Sequence, residues 1–441
     1  MLTPVRVVDV ELSEPLQSIG PARGESDEEG GRYGSALVLV RLHGRPLGTL
    51  QLDLTAGTVA AADVARLAWD RLGPSIVAHL AEDGAAVPAG LTEAGLSLPA
   101  GEPGAVANGV PACRRYDEDS FPFASVVVST HERPGPLGAC VESILRADYP
   151  AFEVLVVDNA PRTSATREVV VERFGDDPRV RYLLETTPGA SAGRNCGLWA
   201  ASGEVVAFVD DDVLVDRLWL RSLVLGFQAA PGVACVTGMI LPAELDTQPQ
   251  LWIEEFGGFD KGYEQKIFDL DKYAQPDPLY PYSVGKFGSG ASAAFDPAVL
   301  RSIGGFDTAL GPATPACGGE DIDAFLQIIL AGYRLVYEPR SLVRHHHRRE
   351  YADLRRAVRG YGVGLAAVLT KALMNRKTRG DVLRRAPRGV FYFLNPTSPK
   401  NEKKTSTFPR QLTLVEMGGA LVGPLAYLRS RRWARTAGRA S

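Results

Sequence analysis

The sequence predicts an α/β fold built on a doubly wound, mostly parallel sheet, because short apolar runs alternate with segments of helical spacing through its middle. Residues 125–129 form an apolar run of the kind that is buried on both faces of a parallel sheet. Four more such runs follow, at 154–157, 180–184, 205–209 and 233–237. Strands that alternate with helices in this way form a parallel sheet with helices on its faces. The composition is that of an ordinary globular protein, with 45% apolar and 23% charged residues.

Length and changes in composition predict how the chain is divided. At roughly 150 residues per domain, 441 residues predict two or three domains. A Gly-, Pro- and Ala-rich stretch after residue 83 is typical of a linker. The predicted divisions are a small α+β module over 1–83, this linker over 84–118, the α/β domain over 119–350, and a basic helical region over 351–441.

The N-terminal module is predicted from two patterns. Alternating apolar residues over 36–42 and 47–54 flank the turn-forming residues 43–46, which predicts a hairpin. Residues 58–80 have helical spacing, with a predicted break at 73–74 where Gly is followed by Pro. Nothing in this module indicates chemistry.

Charge is distributed unevenly along the chain. Residues 340–441 hold 23 Lys and Arg against 5 Asp and Glu, whereas the rest hold 25 against 47. Part of this acidic excess lies over 24–31, which predicts a mobile loop. A basic end on an acidic body suggests different partners for the two parts. An anionic membrane surface and nucleic acid are the candidate partners of the basic end, and a set of solvated basic helices is the alternative.

Cysteine spacing and hydropathy predict the compartment. The five cysteines include no Cys-x-x-Cys pair, so neither a zinc site nor a thioredoxin-like motif is indicated. The first residues lack the basic and apolar regions of a signal peptide, and no apolar run reaches the ~18 residues of a membrane span. We therefore expect a protein of the reducing cytoplasm.

Polar residues follow three of the predicted strands. Thr130, Glu132 and Arg133 follow the first strand, Asp158 follows the second, and the acidic triplet 210–212 follows the fourth. In doubly wound sheets ligands bind beyond the carboxyl ends of the strands, so these residues mark the predicted site. No Gly-x-Gly-x-x-Gly or Walker-type loop occurs, which argues against dinucleotide dehydrogenases and NTPases.

The acidic triplet indicates a cation. Three consecutive carboxylates repel one another unless a cation neutralises them, and hard oxygen ligands suit Mg²⁺ or Mn²⁺, which also bridge substrate phosphates. The alternative is that Asp212 and Asp216 only cap the next helix.

Six motifs follow one another along the chain, at 126–134, 156–159, 188–195, 208–212, 288–295 with 303–307, and 318–321. Each motif is weak alone, but their order and their positions at the strand ends make the combination specific. Together they resemble the family 2 glycosyltransferases, which have the Rossmann-like glycosyltransferase A-type fold. The resemblance covers about residues 121–350.

The resemblance implies a nucleotide-sugar donor, with a UDP-sugar favoured, and inversion at the sugar. It implies Mn²⁺ or Mg²⁺ as cofactor, held by Asp210, Asp212 and His345; an imidazole beside carboxylates favours Mn²⁺ somewhat. A divalent ion stabilises the charge that grows on the diphosphate as the glycosidic bond breaks. The residues implied in donor binding are Thr130, Glu132, Arg133, Asp158, Arg194, Asp210 and Asp211.

The acceptor hydroxyl must lose a proton, which requires one positioned carboxylate. The resemblance gives this role to Asp321, next to Glu320 in the acceptor-side Glu-Asp pair. The alternative is that Asp321 is a first-turn acid stabilised by the helix dipole. Glu320 or Asp323 is the fallback base.

Further residues are assigned with alternatives. In an extended chain His345 and His347 share one face, and the two open interpretations of His347 are pyrophosphate binding and a basic surface run. For Arg194 the alternative to donor binding is a helix-surface salt bridge. Trp252 and the segment 254–263 are interpreted as an acceptor-side loop or as a packed loop.

The sequence leaves the acceptor and the partners open. A glycan, a lipid-linked acceptor and a small molecule all fit. The basic region 351–441 predicts peripheral contact with the inner face of a membrane, and nucleic acid is the less favoured partner. The rival is pairing of the basic region with the acidic N-terminal module, either within the chain or across a homodimer.

Three positions depart from the family pattern, namely Asn159, Ala160 and Ser292, which weakens any inference about nucleotide and sugar. Two other functions are weighed against transfer. A non-catalytic nucleotide-sugar binding or assembly protein is disfavoured by the presence of both Asp210 with Asp212 and Asp321. A sugar-1-phosphate nucleotidyltransferase requires a Gly-rich triphosphate loop after the first strand, which residues 130–134 do not provide.

Overall fold

Two β-sheets organise the chain, one in each of two units of a computed structural model. The structure describes residues 4–21, 32–96, 111–259, 261–395, 398, 401, 404, 405 and 408–440. The first unit comprises Met1–Ser120 with Pro242–Leu251, and the second comprises Phe121–Leu241 with Trp252–Ser441. The predicted acidic loop 24–31 lies outside the described residues, as do residues 97–110 of the predicted linker.

The first unit contains a three-stranded sheet in the order β1-β2-β3. Strand β1 (Val5–Glu11) is parallel to β2 (Ser35–Leu42), and β2 is antiparallel to β3 (Arg45–Asp53). The predicted hairpin is present, with His43 and Gly44 between the strands. Both residues have positive φ, 54° and 82°, as tight two-residue hairpins require.

Helix α1 (Ala61–Glu82) covers this sheet and forms a core with it. The predicted break at 73–74 is wrong, since Pro74 lies inside the helix. Ala85, Leu91 and Leu96 join the same core. The described start of the predicted linker is therefore packed, because its apolar side chains are buried against the module.

The second unit contains a nine-stranded sheet among the described residues, in the order β10-β12-β9-β11-β7-β4-β5-β6, with β8 paired to β12. Its strands are β4 (Ala124–Thr130), β5 (Phe152–Asn159), β6 (Val180–Glu185), β7 (Val205–Asp210), β8 (Val213–Val215), β9 (Val233–Pro242), β10 (Lys266–Phe268), β11 (Ser292–Phe295) and β12 (Arg334–His345).

The predicted α/β fold is confirmed, and the five predicted strands all run in one direction. β4 is parallel to β5 and β7, and β5 is parallel to β6. β11 is antiparallel to both β7 and β9, so β9 has the same direction as β7. The sheet is mixed rather than parallel throughout, because β11 enters between these two strands and β12 pairs antiparallel with β8 and β10.

Helices lie along the chain between these strands. They are α2 (Pro134–Leu145), α3 (Ala165–Phe174), α4 (Ala190–Ala200), α5 (Trp219–Gly226), α6 (Gln248–Phe256), α7 (Pro297–Ser302) and α8 (Glu320–Leu330). Every residue of β5, which lies between β4 and β6, is buried, as expected for a strand covered on both faces.

Three further helices, α9 (Tyr351–Met374), α10 (Arg379–Leu394) and α11 (Arg410–Ala440), form the basic region. They lie in the same unit as the α/β sheet. Glycines bring α9 and α11 together: a Cβ on Gly362 would lie 2.1 Å from the Glu416 carbonyl oxygen, and one on Gly419 would lie 2.4 Å from that of Arg359. None of the described helices has the length and apolar character to cross a membrane.

Candidate active site

The carboxyl ends of three parallel strands bring the predicted polar residues to one edge of the sheet. Thr130 at the end of β4 is in register with Asp158 on β5, and Ser129 is in register with Asp210 on β7. The apolar runs that bury these strands therefore also fix the positions of the polar residues that follow them.

Asp211 is buried, and two neighbouring side chains bind its carboxylate. Its Oδ2 accepts a hydrogen bond from the Thr130 hydroxyl at 2.6 Å, and its Oδ1 accepts one from Arg133 at 2.5 Å. Burial raises the pKa of Asp211 to about 6. Thr130 and Asp211 were predicted to bind the donor, but in this structure they bind each other, so their contacts favour a supporting role.

Asp212 and His345 are brought together by strand pairing. β8 begins directly after Asp212, and its Val213 is in register with His345 at the end of β12. His345 Nε2 lies 3.3 Å from Asp212 Oδ1, while Arg133 donates to Asp212 Oδ2 at 3.0 Å. Burial would raise the pKa of Asp212, but the imidazole of His345 and the charge of Arg133 outweigh it and hold the pKa below its usual range.

Asp210 faces a different partner. Its Oδ1 accepts a hydrogen bond from Arg194 at 2.8 Å, and its side chain is 39% exposed. Among the described residues, a group of three or more His, Cys, Asp or Glu donor atoms within 4.8 Å of one another occurs in the N-terminal module and not here. The structure thus joins two of the three predicted metal ligands, Asp212 and His345, and turns Asp210 toward Arg194.

His345 continues into a chain of polar contacts. Its Nδ1 lies 3.1 Å from Nδ1 of His347, and Nε2 of His347 lies 2.7 Å from a Glu254 carboxylate oxygen. The two imidazoles share a face, as the extended backbone predicts, and Phe259 packs against both rings. His347 is buried, which excludes the basic surface run.

The predicted acceptor-side loop is helical in its first part. Residues up to Phe256 belong to α6, because their apolar side chains Ile253 and Phe256 pack against the C-terminal helices. Trp252 packs edge-on against Tyr351, and its indole nitrogen is buried with no hydrogen-bond partner among the described residues. This segment is therefore packed rather than freely extended.

Asp158 lies fully buried at the end of β5. Its Oδ2 accepts a hydrogen bond from the Tyr182 hydroxyl at 2.9 Å, while its Oδ1 has no hydrogen-bond partner among the described residues. Burial raises its pKa. A buried acceptor without a donor is costly unless a ligand supplies one.

Glu132 ties the loop after β4 to the loop after β5. Its carboxylate accepts hydrogen bonds from the backbone N–H groups of Arg162 at 2.8 Å and Thr163 at 3.1 Å. The Arg162 hydrogen bond is the main reason that the pKa of Glu132 is lowered. These contacts hold the two loops together, and the contact of Glu132 with the donor stays a prediction.

Arg194 is buried between two carboxylates. One of its NH groups donates to Glu320 at 2.5 Å and the other to Asp210 at 2.8 Å. Burial would lower the pKa of Arg194, but these two carboxylates outweigh it and raise the pKa. The alternative predicted from the sequence, a salt bridge on the helix surface, is wrong, because Arg194 meets both carboxylates in the interior of the second unit.

Glycines on α4 allow this burial. A Cβ on Gly193 would lie 2.2 Å from the Ser129 hydroxyl, and one on Gly197 would lie 2.3 Å from a Val127 methyl. The helix therefore packs closely on β4, which carries Arg194 toward the ends of the strands.

The first turn of α8 contains three acidic residues, which differ in their burial and in their partners. Glu320 is buried against Arg194, and burial raises its pKa. Asp323 is buried against Lys371, whose ammonium donates to it at 2.6 Å. Asp321 is half-exposed; its Oδ2 accepts from the Gly290 N–H and its Oδ1 from the Ile322 N–H, both at 2.8 Å.

Sequence reasoning missed three positioning residues. Asn159 donates to the Thr187 carbonyl and accepts from the Gly189 N–H, which fixes the turn before α4. Asn195 pairs with both the N–H and the carbonyl of Phe306. Lys371 bridges Asp323 and Asp307 at 2.6 and 2.8 Å, and the signal was available, since it is the one charged residue between 361 and 374.

Comparison with known proteins identifies the class of this domain. Residues 125–291 match the family described as glycosyl transferase family 2. This region of the chain is therefore similar to the family 2 glycosyltransferases. The mixed α/β sheet agrees with the A-type fold implied by the motifs.

Relatives match this chain over parts of their length. The chain is 35% identical over 165 residues to the pre-mycofactocin glycosyltransferase of Mycobacterium tuberculosis, which is 37% of this chain and about a third (32%) of that protein. It is 26% identical over 234 residues to the glucosyl-dolichyl phosphate glucuronosyltransferase of Haloferax volcanii, covering 50% of this chain and 68% of that one.

Two more similarities are more limited. The GalNAc(5)-diNAcBac-PP-undecaprenol beta-1,3-glucosyltransferase of Campylobacter jejuni is 32% identical over 173 residues, or 38% of this chain and 51% of that protein. The structure of a mannosyltransferase from Pyrobaculum calidifontis in complex with GDP-Man and Mn²⁺ gives a TM-score of 0.46 at 21% identity, over 73% of this chain and 86% of that chain.

Proposed function

We propose that this protein transfers a sugar, with inversion, from a nucleotide-sugar donor to an acceptor hydroxyl. The observation that carries the proposal is the arrangement around Arg194. This residue connects the acidic triplet, through Asp210, to the first turn of α8, through Glu320. Asp321, the half-exposed acid of that turn, follows Glu320 directly. Arg194 thereby connects the proposed donor-binding residues to the proposed acceptor-side residues.

The donor set fits a divalent cation. Asp212 Oδ1 and His345 Nε2 are 3.3 Å apart, close to the roughly 3 Å between neighbouring ligands of an octahedral Mg²⁺ or Mn²⁺ at ~2.1 Å. Asp212 and His345, with Asp210, would hold this ion. When bound, it neutralises charge on the departing diphosphate. Arg133 and Arg348, which lie 3.0 and 3.5 Å from Asp212 Oδ2, add positive charge for the same diphosphate.

Asp321 is proposed as the general base. Two backbone N–H groups hold its carboxylate in one orientation, and each oxygen retains a lone pair for the acceptor proton. Gly290 makes this possible, since a Cβ there would lie 2.7 Å from the Asp321 Cβ. Glu320 and Asp323, committed to Arg194 and Lys371, are proposed as positioning residues.

Asp158 is proposed to bind the base of the nucleotide. Its unpartnered Oδ1 accepts a hydrogen bond from a ring N–H next to a carbonyl. The imide N–H of uracil supplies this donor, which supports a UDP-sugar. Thymine carries the same group and guanine a similar one, so a donor panel decides among them.

The replacement Asp321→Asn tests the function. We expect loss of nucleotide release from the donor in the presence of acceptor, with Mn²⁺-dependent nucleotide binding unchanged. Asp63→Asn is the matched control, because Asp63 is an exposed first-turn acid of α1 in the other unit. Turnover by Asp321→Asn at the wild-type rate would refute the assignment of Asp321 as general base. Absence of turnover in both the wild-type protein and Asp321→Asn would favour a non-catalytic binder.

We further propose that α10 and α11 rest on an anionic membrane surface, which suits a lipid-linked acceptor. Leu414, Leu421, Leu425 and Leu428 fall on one face of α11 and are 43–83% exposed. Arg429, Arg431, Arg432 and Arg435 follow on the same helix. Each basic residue near an anionic leaflet contributes about 1 kcal/mol. Relatives named for dolichyl phosphate and undecaprenol substrates support this acceptor class.

Vesicle sedimentation tests the membrane proposal. We expect the protein to sediment with anionic vesicles at low salt, to be released by high salt, and to stay behind with zwitterionic vesicles. A double variant, Leu421→Asp with Leu425→Asp, is expected to lose this binding. Val171→Asp, on an exposed apolar residue of α3, is the control. A wild-type protein that stays in the supernatant with anionic vesicles at low salt would refute the proposal.

A further inference from the structure

Four potential metal ligands converge in the N-terminal module, and none of them has a role in the proposed transfer. His43 lies in the β2–β3 turn, His79 and Asp83 lie one helical turn apart at the end of α1, and Cys113 lies in the short helix Ala112–Arg114. One donor atom from each of the four lies within 4.8 Å of the others. His43, His79 and Asp83 are buried, and Cys113 is half-buried.

The separations of the donor atoms match a tetrahedral metal. His43 Nδ1 lies 3.3 Å from His79 Nε2 and 3.6 Å from Cys113 Sγ. Asp83 Oδ2 lies 2.8 Å from His43 Nδ1, 3.4 Å from His79 Nε2 and 3.2 Å from Cys113 Sγ. Tetrahedral zinc, with bonds of ~2.0–2.1 Å to N or O and ~2.3 Å to S, places its ligands about 3.3–3.6 Å apart.

A network of hydrogen bonds alone explains the cluster poorly. Asp83 Oδ2 would have to accept from both imidazoles and the thiol, and of the two imidazole nitrogens that face each other at 3.3 Å only one can donate to the other. A divalent ion at the centre replaces all of these contacts at once. Two neutral imidazoles, one carboxylate and one thiolate then balance the charge of the ion.

The surroundings orient the ligands. Glu11 accepts hydrogen bonds from the N–H groups of His43 and Gly44, both at 2.8 Å, which holds the turn in its positive-φ conformation. Asp83 Oδ1 accepts from the Cys113 N–H at 2.6 Å, which leaves Oδ2 for the centre. Such outer contacts, which fix ligand geometry, are typical of built metal sites.

One contact must change when the metal binds. Arg45 lies 3.3 Å from Nδ1 of His79, which carries a proton once Nε2 is a ligand. The guanidinium then keeps its partner Glu82, 2.5 Å away. The 2.8 Å between His43 and Asp83 opens by about half an ångström to tetrahedral spacing.

We propose that His43, His79, Asp83 and Cys113 bind one structural Zn²⁺. With four protein ligands no position remains for substrate, so this is a closed site rather than a catalytic one. The ion would tie the hairpin turn, the end of α1 and the segment at Cys113 together, closing the chain between residues 83 and 113. The cysteine spacing did not predict this zinc site, because the four ligands lie at separate positions in the sequence and only one of them is a cysteine.

Cobalt substitution tests the proposal in the full chain. After removal of metal, one equivalent of Co²⁺ is expected to give the intense visible bands of tetrahedral geometry and a thiolate-to-cobalt charge-transfer band. Cys113→Ser is expected to lose the charge-transfer band and at least about tenfold in Zn²⁺ affinity. Cys317→Ser, on an exposed cysteine, is the control and is expected to match wild type. A wild-type protein without the band, or a Cys113→Ser protein that keeps it, would overturn the proposal.

A second measurement needs no variant, in case Cys113→Ser does not fold. Alkylation of the wild-type protein is followed at each cysteine with Zn²⁺ and with chelator. Zn²⁺ is expected to protect Cys113, while Cys317 reacts under both conditions. Equal alkylation of Cys113 with and without Zn²⁺ would overturn the proposal. The predicted ligands of the transferase site include no cysteine, so these results are independent of the proposed function.

Discussion

The two ends of β5 carry buried carboxylates in opposite states. Glu153, at the amino end, has every oxygen partnered: Oε1 accepts from the Ser125 hydroxyl and the Ser202 N–H, and Oε2 accepts from Arg181. Asp158, at the carboxyl end, has one oxygen partnered by Tyr182 and one without a partner among the described residues.

The pKa values of these two acids shift in opposite directions. Burial would raise the pKa of Glu153, but hydrogen bonds from Ser202, Ser125 and Arg181 outweigh it and lower the pKa. At Asp158 burial dominates and raises the pKa. The amino end of β5 thus stabilises a charged carboxylate, whereas the carboxyl end leaves a hydrogen-bond acceptor for a ligand. A sheet edge that binds substrate differs in this way from an edge that only stabilises the fold.

The largest effect is expected at Asp212, on the ligand-binding edge. Asp212→Asn removes the carboxylate that faces His345, and we expect nucleotide release to fall on the order of 10²–10³-fold, the loss typical of one preorganised electrostatic group. Asp216→Asn is the control, because the Asp216 side chain accepts from the Leu218 N–H just before α5. Equal activity of the two variants would contradict a role of Asp212 in transfer and would favour the alternative that it only caps a helix.

His345→Gln is expected to weaken the metal rather than abolish transfer. Loss of one nitrogen ligand should raise the Mn²⁺ concentration for half-maximal activity by at least about tenfold. Activity should recover at high Mn²⁺. An unchanged metal requirement would remove His345 from the site.

Asp158→Asn tests the unpartnered oxygen directly. Loss of a hydrogen bond to a charged acceptor corresponds to about 10- to 100-fold, which we expect to find in the KM of the donor. The value of kcat should stay the same, since the nucleobase of the donor is bound equally in the ground state and the transition state. A fall in kcat without a change in KM would contradict this assignment.

Glu153→Gln is expected to affect stability alone. At neutral pH the free energy of unfolding should fall by about 1–3 kcal/mol, with activity per folded molecule unchanged. Because the folded pKa of Glu153 is depressed, its contribution is present above the unfolded pKa and is lost as the pH falls through the folded pKa. Denaturant unfolding at several pH values should therefore show the two proteins converging in acid, and a constant difference would refute it.

The sequence predicted the parts of this molecule that local patterns control. Apolar runs located the strands of β4, β5 and β7, and their ends located Asp158 and the acidic triplet. The insertion of β11 was not predictable, because the four residues Ser292–Phe295 carry no sign of the strands with which they pair. The burial of Arg194 depends on Glu320, 126 positions away, and the approach of His43 to Cys113 spans 70 positions. Tertiary packing alone brings such pairs together.

Release of free nucleotide from a panel of UDP-, dTDP- and GDP-sugars, first with Mn²⁺ and then with EDTA, tests whether this protein is a metal-dependent glycosyltransferase. We expect turnover of one donor, with a UDP-sugar favoured, that EDTA abolishes and Mn²⁺ restores. Turnover that persists in EDTA would contradict the metal site, and the absence of both turnover and Mn²⁺-dependent nucleotide binding would contradict the transferase itself.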